Sequence, residues 1–199
     1  MQSKLASLVN SCASEQRNFT ELRDFCEDEE LETLCLTSLS THVPFYAVLQ
    51  TCYLCLGEYQ NAQLLWKRVP DDLKSVQDSE ITVLNTIVES IQDFDFNSIY
   101  HLVNHPWSPL VAELFPFVIK KLRSKIFGTI EILYTSLKMS TLQELVNLSL
   151  EEIQEVISKR GWTFDEEYVY PIKSVSQGDV TPEFLTNFQE IVSTLDGIL

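Results

Sequence analysis

Two pairs of residues in this chain have the spacing of metal or redox chemistry. Cys52 and Cys55 form a Cys-x-x-Cys motif, and His101 and His105 stand one helical turn apart. A redox pair needs a helix start and a zinc site needs a second pair of ligands, whereas these cysteines lie mid-helix among apolar residues. Leu102 stands where a zinc protease carries its general-base glutamate. The sequence therefore predicts no catalytic residues, no cofactor and no metal site, and it predicts buried, structural cysteines.

The most strongly marked segment, residues 140–172, has the pattern of a helix-turn-helix followed by a small β-wing. Predicted helices cover residues 140–147 and 149–160, and each opens with a Ser-x-x-Glu/Gln capping box. Gly161 ends the second helix, and an acidic turn at 165–167 separates two short strands. The apolar residues of the two helices, which we expect to pack together, are Leu142, Leu145, Val146, Leu150, Ile153, Val156 and Ile157.

The charge of this segment argues against nucleic acid as its partner. In nucleic-acid binders the second helix of such a module enters the major groove and meets phosphates. Here that helix carries three acids against Lys159 and Arg160, and the whole chain has a net charge of -15. A strongly acidic chain is also a poor match for an anionic membrane. We therefore predict a protein partner for the winged helix, and neither nucleic acid nor membrane.

A weak internal repeat organises the preceding part of the chain. The apolar pattern of residues 59–65 recurs at 96–102, which is the range of repeats built from helix pairs. Residues 43–56 are predicted to be the first helix of one pair, with Gly57 in the turn, and residues 81–91 the first helix of the next. Each pair would bury its apolar face against its neighbour.

Two charged runs accompany this helical part. The acidic run at 27–30 is predicted to be the solvated start of a helix, because acids suit helix N-termini. Residues 110–134 are predicted to form one long helix or two abutting ones. Its basic residues, which we expect on an exposed face unless they form a docking patch for an acidic partner, are Lys120, Lys121, Arg123 and Lys125.

A terminal helix is predicted for residues 181–199, after a polar linker at 174–180. Thr181 suits the cap and Pro182 the first helical position. The apolar residues that recur at helical spacing are Phe184, Phe188, Ile191 and Leu195. Such a stripe needs a surface, which is either the chain's own domain or helices of other chains, and the pattern leaves both open.

These patterns predict a mainly α protein in four parts. They are a helical-repeat (TPR-like) part at 1–136, a winged-helix part at 137–173, the linker at 174–180 and the C-terminal helix at 181–199. An odd number of cysteines, five, argues against a disulfide framework. We find no secretory signal and no apolar run long enough for a membrane span, so we expect the cytoplasm and the nucleus as locations.

Helical repeats that lead into a winged helix and then a lone helix are the plan of the PCI proteins. These proteins occur in the proteasome lid, the COP-nine signalosome and initiation factor three. Four stretches of the chain match the small subunits of this family: Asn61-Ala62-x-x-Leu65-Trp66-Lys67-Arg68-Val69-Pro70 with Leu73-Lys74, His105-Pro106-Trp107-Ser108, Tyr134-Thr135-Ser136-Leu137 and Gly161-Trp162-Thr163. On these residues the chain resembles the small PCI subunits of the COP-nine signalosome over about residues 50 to 165.

The resemblance implies a non-catalytic scaffold subunit. In such complexes the winged helices of several subunits associate side by side and the terminal helices gather in a bundle. The implied partners are other PCI subunits and a metalloprotease subunit and, indirectly, the cullin-RING ubiquitin ligases that the complex deneddylates. The related small PCI subunit of the proteasome lid is the nearest alternative, and a winged-helix nucleic-acid binder is a more distant one.

Pattern alone selects two candidate interfaces. For strand addition at the edge of the wing we select Tyr168, Val169, Tyr170 and Ile172. For helix bundling we select Phe184, Phe188, Ile191 and Leu195. If the terminal helix bundles with partners, a Phe188→Asp, Ile191→Asp double variant is expected to release the subunit while its own fold stays intact.

Overall fold

The computed structural model describes residues 2–15, 18–34, 43–75, 79–172 and 182–195. The described chain is mainly helical with one small sheet, which confirms the predicted fold class. The helices are α1 (Gln2–Glu15), α2 (Phe19–Leu34), α3 (Val43–Leu56), α4 (Tyr59–Arg68), α5 (Asp71–Lys74), α6 (Glu80–Gln92), α7 (Phe96–His101), α8 (Pro109–Leu133), α9 (Met139–Val146), α10 (Leu150–Lys159) and α11 (Pro182–Leu195). The strands are β1 (Leu137–Lys138), β2 (Thr163–Phe164) and β3 (Tyr168–Tyr170). The predicted linker at 174–180 lies outside the described residues.

Two compact units make up the fold. Unit 1 comprises Met1–Gln92 and His101–Lys121, and unit 2 comprises Asp93–Tyr100 and Leu122–Leu199. This division differs from the predicted boundary at residue 136.

The boundary is displaced because residues 93–100 and the second half of α8 pack with the winged helix. The Tyr100 hydroxyl donates a hydrogen bond to the Leu145 carbonyl oxygen, at 3.1 Å. The Arg123 guanidinium donates to the carbonyl oxygens of Val146 and Asn147, each at 2.8 Å. These carbonyls lie at the C-terminal end of α9, where helix carbonyls lack partners within the helix. Side chains from α7 and α8 therefore complete the winged-helix part.

Helix α3 is the core of unit 1. Residues 45–55 are all buried, and α2, α4 and α6 pack against this helix. Its nearly continuous apolar sequence is typical of a helix enclosed on every side. The helix spans the predicted residues, and Gly57 occupies the turn to α4 with a φ of 82°, which glycine adopts without steric cost. The first predicted helix pair is therefore confirmed.

The second predicted helix pair is present as two helices but is divided between the units. Helix α6 covers the predicted residues 81–91, and α7 begins at Phe96 as α4 begins at Tyr59. Residues 93–100 belong to unit 2, so only the first pair lies wholly within unit 1.

The acidic run at 27–30 lies in the middle of α2, so the prediction of a solvated helix start is wrong. Glu30 is buried, and its carboxylate accepts two hydrogen bonds from the Arg68 guanidinium of α4, at 3.0 and 2.9 Å. The Glu27 carboxylate accepts one from the Tyr53 hydroxyl of α3, at 2.8 Å. The run therefore connects α2 to α3 through Glu27 and to α4 through Glu30.

The cysteine pair occupies the predicted structural position. Cys52 and Cys55 are buried in α3, and the Cys55 thiol donates to the Leu114 carbonyl oxygen at 3.6 Å. Burial raises the pKa of both thiols, which keeps them protonated and unreactive. His101 is exposed, whereas His105 packs edge-on against Trp107 with 4.5 Å between ring centroids. Among the described residues, no group of three potential ligands has the geometry of a metal site.

Helix α8 is one continuous helix, and its basic residues do not share a single exposed face. Lys120 is exposed, as predicted. Lys121 is half-buried in unit 1, where a Cβ on Gly57 would lie 2.6 Å from its Cε. Arg123 is directed to the end of α9 instead, so the predicted face is only partly confirmed.

The Arg68–Glu30 ion pair is expected to stabilise unit 1. Replacing Arg68 by alanine leaves the Glu30 carboxylate buried without its guanidinium partner, and we expect a loss of about 2 kcal/mol in the free energy of unfolding. Urea unfolding followed by circular dichroism measures this loss. Lys67→Ala, at an exposed position in the same helix, is the matched control and is expected to cost less than about 0.5 kcal/mol. Equal costs for the two variants would contradict the stabilising role of the pair.

Candidate protein-interaction surfaces

The winged-helix module in unit 2 has the core that the sequence predicted for it. Five of the predicted core residues are buried, together with Met139: they are Leu142, Leu145, Val146, Ile153 and Ile157. Val156 is half-buried, and Leu150, which was predicted to join this core, is exposed because it is the first residue of α10. Trp162 is buried. Its amide donates to the Ile157 carbonyl oxygen of α10 at 2.9 Å, and its ring packs on Phe127 of α8 with centroids 5.7 Å apart.

The two helices of the module begin in different ways. Helix α10 has the predicted capping box: the Glu152 amide donates to the Ser149 hydroxyl, and the Ser149 amide donates to the Glu152 carboxylate at 2.9 Å. The bond from the Ser149 amide lowers the pKa of Glu152. Helix α9 begins at Met139, one residue before Ser140, so the capping box predicted there is wrong. Strand β1 leads directly into α9, and the Met139 amide donates instead to the Glu167 carbonyl oxygen, at 2.8 Å.

Strand β3 is the central strand of the sheet, which has the order β1-β3-β2. Val169 pairs with Leu137 on one side and with Phe164 on the other, in antiparallel register. The prediction that Tyr168–Tyr170 form the edge of the wing is therefore wrong, because β1, a strand of two residues before α9, occupies one side of β3. Strand β2 is an outer strand of this sheet.

Exposed apolar side chains flank β2 and β3 on both faces of the sheet, and we call them together the wing patch. It consists of Phe164, Tyr170 and Ile172, whose exposed fractions are 41%, 40% and 57%. Of the predicted wing residues, Tyr170 and Ile172 belong to this patch, whereas Val169 is fully buried and Tyr168 is half-buried. Sequence reasoning missed Phe164, although an aromatic residue beside an acidic turn was the available signal.

The turn between β2 and β3 is held by Asp165. Its carboxylate accepts hydrogen bonds from the amides of Tyr168 and Glu167, at 2.7 and 2.9 Å, and from the Tyr170 hydroxyl at 2.8 Å. The amide bonds, that of Tyr168 first, lower the pKa of Asp165, and the bond to Asp165 raises the pKa of Tyr170. One carboxylate therefore orients both the turn and an aromatic ring of the wing patch.

The exposed surface of α10 is acidic. Glu151, Glu152 and Glu155 are exposed, and Lys159 forms an ion pair with Glu155 at 2.5 Å. Arg160 points away from this surface.

The Arg160 guanidinium is bound inside unit 2. It donates to the Glu131 carboxylate of α8 at 2.8 Å and lies 4.9 Å from the centroid of the Phe127 ring. The indole of Trp162 donates to the same carboxylate, at 3.1 Å. Both bases at the end of α10 are therefore paired with acids, so neither adds an unpaired positive charge to this surface.

Helix α11 packs on its own unit through a narrow stripe. Phe188 and Val192 are buried, Ile191 is half-buried, and Leu195 has an exposed fraction of 42%. The Phe184 side chain lies outside the described residues. The sequence left open whether the terminal helix packs on its own domain or on helices of other chains. The Phe188 side chain packs on its own unit, so the Phe188→Asp, Ile191→Asp variant would disturb this packing. The expectation that the rest of the fold stays intact remains a prediction.

An aromatic socket in unit 2 receives the Phe188 ring. We define it as Phe94, Phe96 and Tyr134, whose ring centroids lie 6.4, 6.5 and 6.3 Å from that of Phe188. Phe94 has a φ of 59°, in the left-handed region that a bulky residue rarely adopts. The burial of its ring in the socket offsets this backbone strain.

Two substitutions at Phe94 distinguish the stability contributed by the buried ring from the cost of the strained backbone. Phe94→Ala and Phe94→Gly both lose the ring, but only glycine relieves the strain. We therefore expect the glycine variant to be more stable by about 1 kcal/mol, the reverse of the usual order for these two residues. Thermal unfolding of both variants measures the difference, and an alanine variant of equal or greater stability would contradict the strain.

The hydrogen bond between Tyr170 and Asp165 predicts a titration. The Asp165 carboxylate accepts a hydrogen bond from the protonated phenol and its charge disfavours the phenolate, so the pKa of Tyr170 lies above its ordinary value of 10.0. Asp165→Asn removes the charge and is expected to lower that pKa towards 10. Carbon NMR of labelled tyrosine as a function of pH measures it, and Glu166→Gln, on the same turn, is the control. A Tyr170 pKa that is unchanged in Asp165→Asn would contradict the bond.

Comparison with known proteins places this architecture in a family. The family model of the CSN8/PSMD8/EIF3K family matches residues 41–179. COP9 signalosome complex subunit 8 of Xenopus tropicalis is 30% identical over 149 residues, which are 74% of this chain and 75% of the relative. The protein of the same name from Drosophila melanogaster is 27% identical, over 73% of this chain and 76% of its own length. That from Dictyostelium discoideum is 22% identical, over 82% of this chain and 79% of its own length. The predicted resemblance to small PCI subunits is thereby confirmed, and the chain belongs to the CSN8/PSMD8/EIF3K family.

Proposed function

We propose that this chain is a non-catalytic scaffold subunit of a COP9 signalosome, in the position of subunit 8. The observation that carries the proposal is an acidic winged helix in a chain that aligns with proteins named signalosome subunit 8 over about three quarters of its length. The names of these relatives favour the signalosome over the proteasome lid. The charge on α10, with Arg160 bound to Glu131, favours protein over nucleic acid as the partner.

The wing patch is the first surface proposed to bind another subunit. Strand β2 is an outer strand, so a partner strand could add to it through backbone hydrogen bonds. Phe164, Tyr170 and Ile172 would supply the apolar contacts beside it. This proposal moves the interface from β3, where the sequence placed it, to β2 and its surroundings.

The second proposed surface is the outer side of α11. Leu195 and the half-buried Ile191 stand one helical turn apart beside the stripe that packs on unit 2. Helices of other subunits that pack against this side would extend the same apolar stripe, as in a helix bundle.

The proposed partners are the other PCI subunits and the metalloprotease subunit of the complex and, through them, cullin-RING ubiquitin ligases. The complex would carry out deneddylation at the metalloprotease subunit, and this chain would contribute no catalytic group. No helix in the described ranges is long and apolar enough to cross a membrane. We propose the cytoplasm and the nucleus as its locations.

Affinity purification from the chain's own cells tests this function. The chain, tagged at its N-terminus, would be isolated in mild salt and its partners identified by mass spectrometry. The expected result is recovery of larger PCI subunits together with a metalloprotease subunit and cullins. Recovery of proteasome lid subunits instead, or of no PCI subunit, would overturn the proposal.

Variants of the two surfaces are expected to weaken assembly without unfolding the chain. A Phe164→Asp, Ile172→Asp double variant and a Leu195→Asp variant each place charge on an exposed apolar side chain, and each is expected to reduce the recovered partners about tenfold. Leu31→Asp, Leu64→Asp is the matched control, because both residues are exposed in unit 1, with exposed fractions of 64% and 50%. Equal recovery with the control and the surface variants would show that these surfaces do not bind partners, provided that circular dichroism shows the same fold.

A further inference from the structure

Helix α11 has a wider apolar stripe than its own unit covers. Phe188, Ile191, Val192 and Leu195 together span about 100° of the helix circumference. Among the described side chains of this helix, residues 186–195, only Phe188 and Val192 are buried. The packing of α11 is therefore shallow, and one part of its stripe is covered while another stays exposed.

The covered part of the stripe meets the aromatic socket. The three socket residues come from the turn before α7, from the start of α7 and from the residue after α8. They surround the Phe188 ring with tilted and edge-on contacts, the geometries that aromatic rings prefer. The socket is thus built by parts of the chain distant from α11 in sequence, and α11 contributes the ring that fills it.

The strand pairing of unit 2 does not need α11. Strand β3 has both of its neighbours within residues 137–170, so the sheet does not depend on α11. Departure of α11 would expose the Phe188 ring and the socket together.

We propose that α11 is a reversible latch: in the free subunit it fills the aromatic socket with Phe188, and it leaves the socket to offer its whole stripe to partner helices. The second half of this inference rests on the proposed function, since it requires partner helices. The latch itself is a property of the free chain. It shields the most apolar side of α11 until assembly.

Peptide binding to the full-length chain tests the latch directly. In Phe188→Asp the chain's own helix cannot fill the socket, while the socket residues are unchanged. A fluorescent peptide of residues 181–199 is expected to bind this variant at least about tenfold more tightly than it binds the unaltered chain, where the socket is occupied. The same peptide carrying Phe188→Asp is the matched control and is expected not to bind.

Hydrogen exchange distinguishes an α11 that opens independently from an α11 that is a permanent part of the core of unit 2. In Tyr134→Ala the socket loses one wall, so we expect the amides of α11 to exchange about tenfold faster while those of α9 and α10 keep their rates. Tyr134→Phe keeps the ring and is the control. If α9 and α10 accelerate together with α11, or if Phe188→Asp unfolds them, α11 is a fixed part of unit 2 and the proposal is overturned. Absence of peptide binding to a folded Phe188→Asp chain would also overturn it.

The role of the latch in assembly has its own readout. Tyr134→Ala is expected to capture partner subunits faster than the unaltered chain, because the helix is already released. A structural role for Tyr134 predicts slower capture. Unchanged capture by a chain whose α11 exchanges faster would contradict the bundling part of the proposed function and leave the latch in place.

Discussion

The C-terminal end of α9 is the point on which the architecture of unit 2 depends. Its last carbonyl groups have no partners within the helix, and they accept hydrogen bonds from Tyr100 and Arg123 instead. Asn147 adopts a φ of 47° there, which turns the chain into α10. Because the donors come from α7 and α8, these bonds fix the winged helix to the helices before it.

This arrangement also sets the character of the surface. The chain has 14 lysines and arginines against 29 acids, and internal carboxylates and carbonyls bind several of these bases. Arg123 binds the end of α9, Arg160 binds Glu131, and Arg68 binds Glu30. The acids that remain exposed, such as those of α10, therefore have few cations beside them. A module with the shape of a nucleic-acid reader presents a surface that suits protein instead.

The sequence predicted local features well and long-range ones less well. The bounds of α3 and the capping box of α10 followed from residues close together in the chain, where periodicity and capping chemistry act. The position of β3 did not, because strand order depends on β1, whose two residues carry no pattern of their own. The burial of Phe188 also depends on residues far away in sequence, and Glu30 is buried only because Arg68 of another helix binds it. Of the seven selected interface residues whose side chains are described, Tyr170, Ile172 and Leu195 are exposed.

The two candidate interfaces differ in how each avoids unwanted association. An outer strand of two residues offers few backbone groups, so β2 is a poor template for indiscriminate pairing. Specific pairing must then draw on the flanking apolar side chains, above all Phe164 and Ile172. Helix α11 has the opposite problem, since its apolar stripe is long, and the socket covers the ring of Phe188, its largest described side chain. A short edge with exposed anchors and a long stripe with a covered anchor would each limit association with the wrong partner.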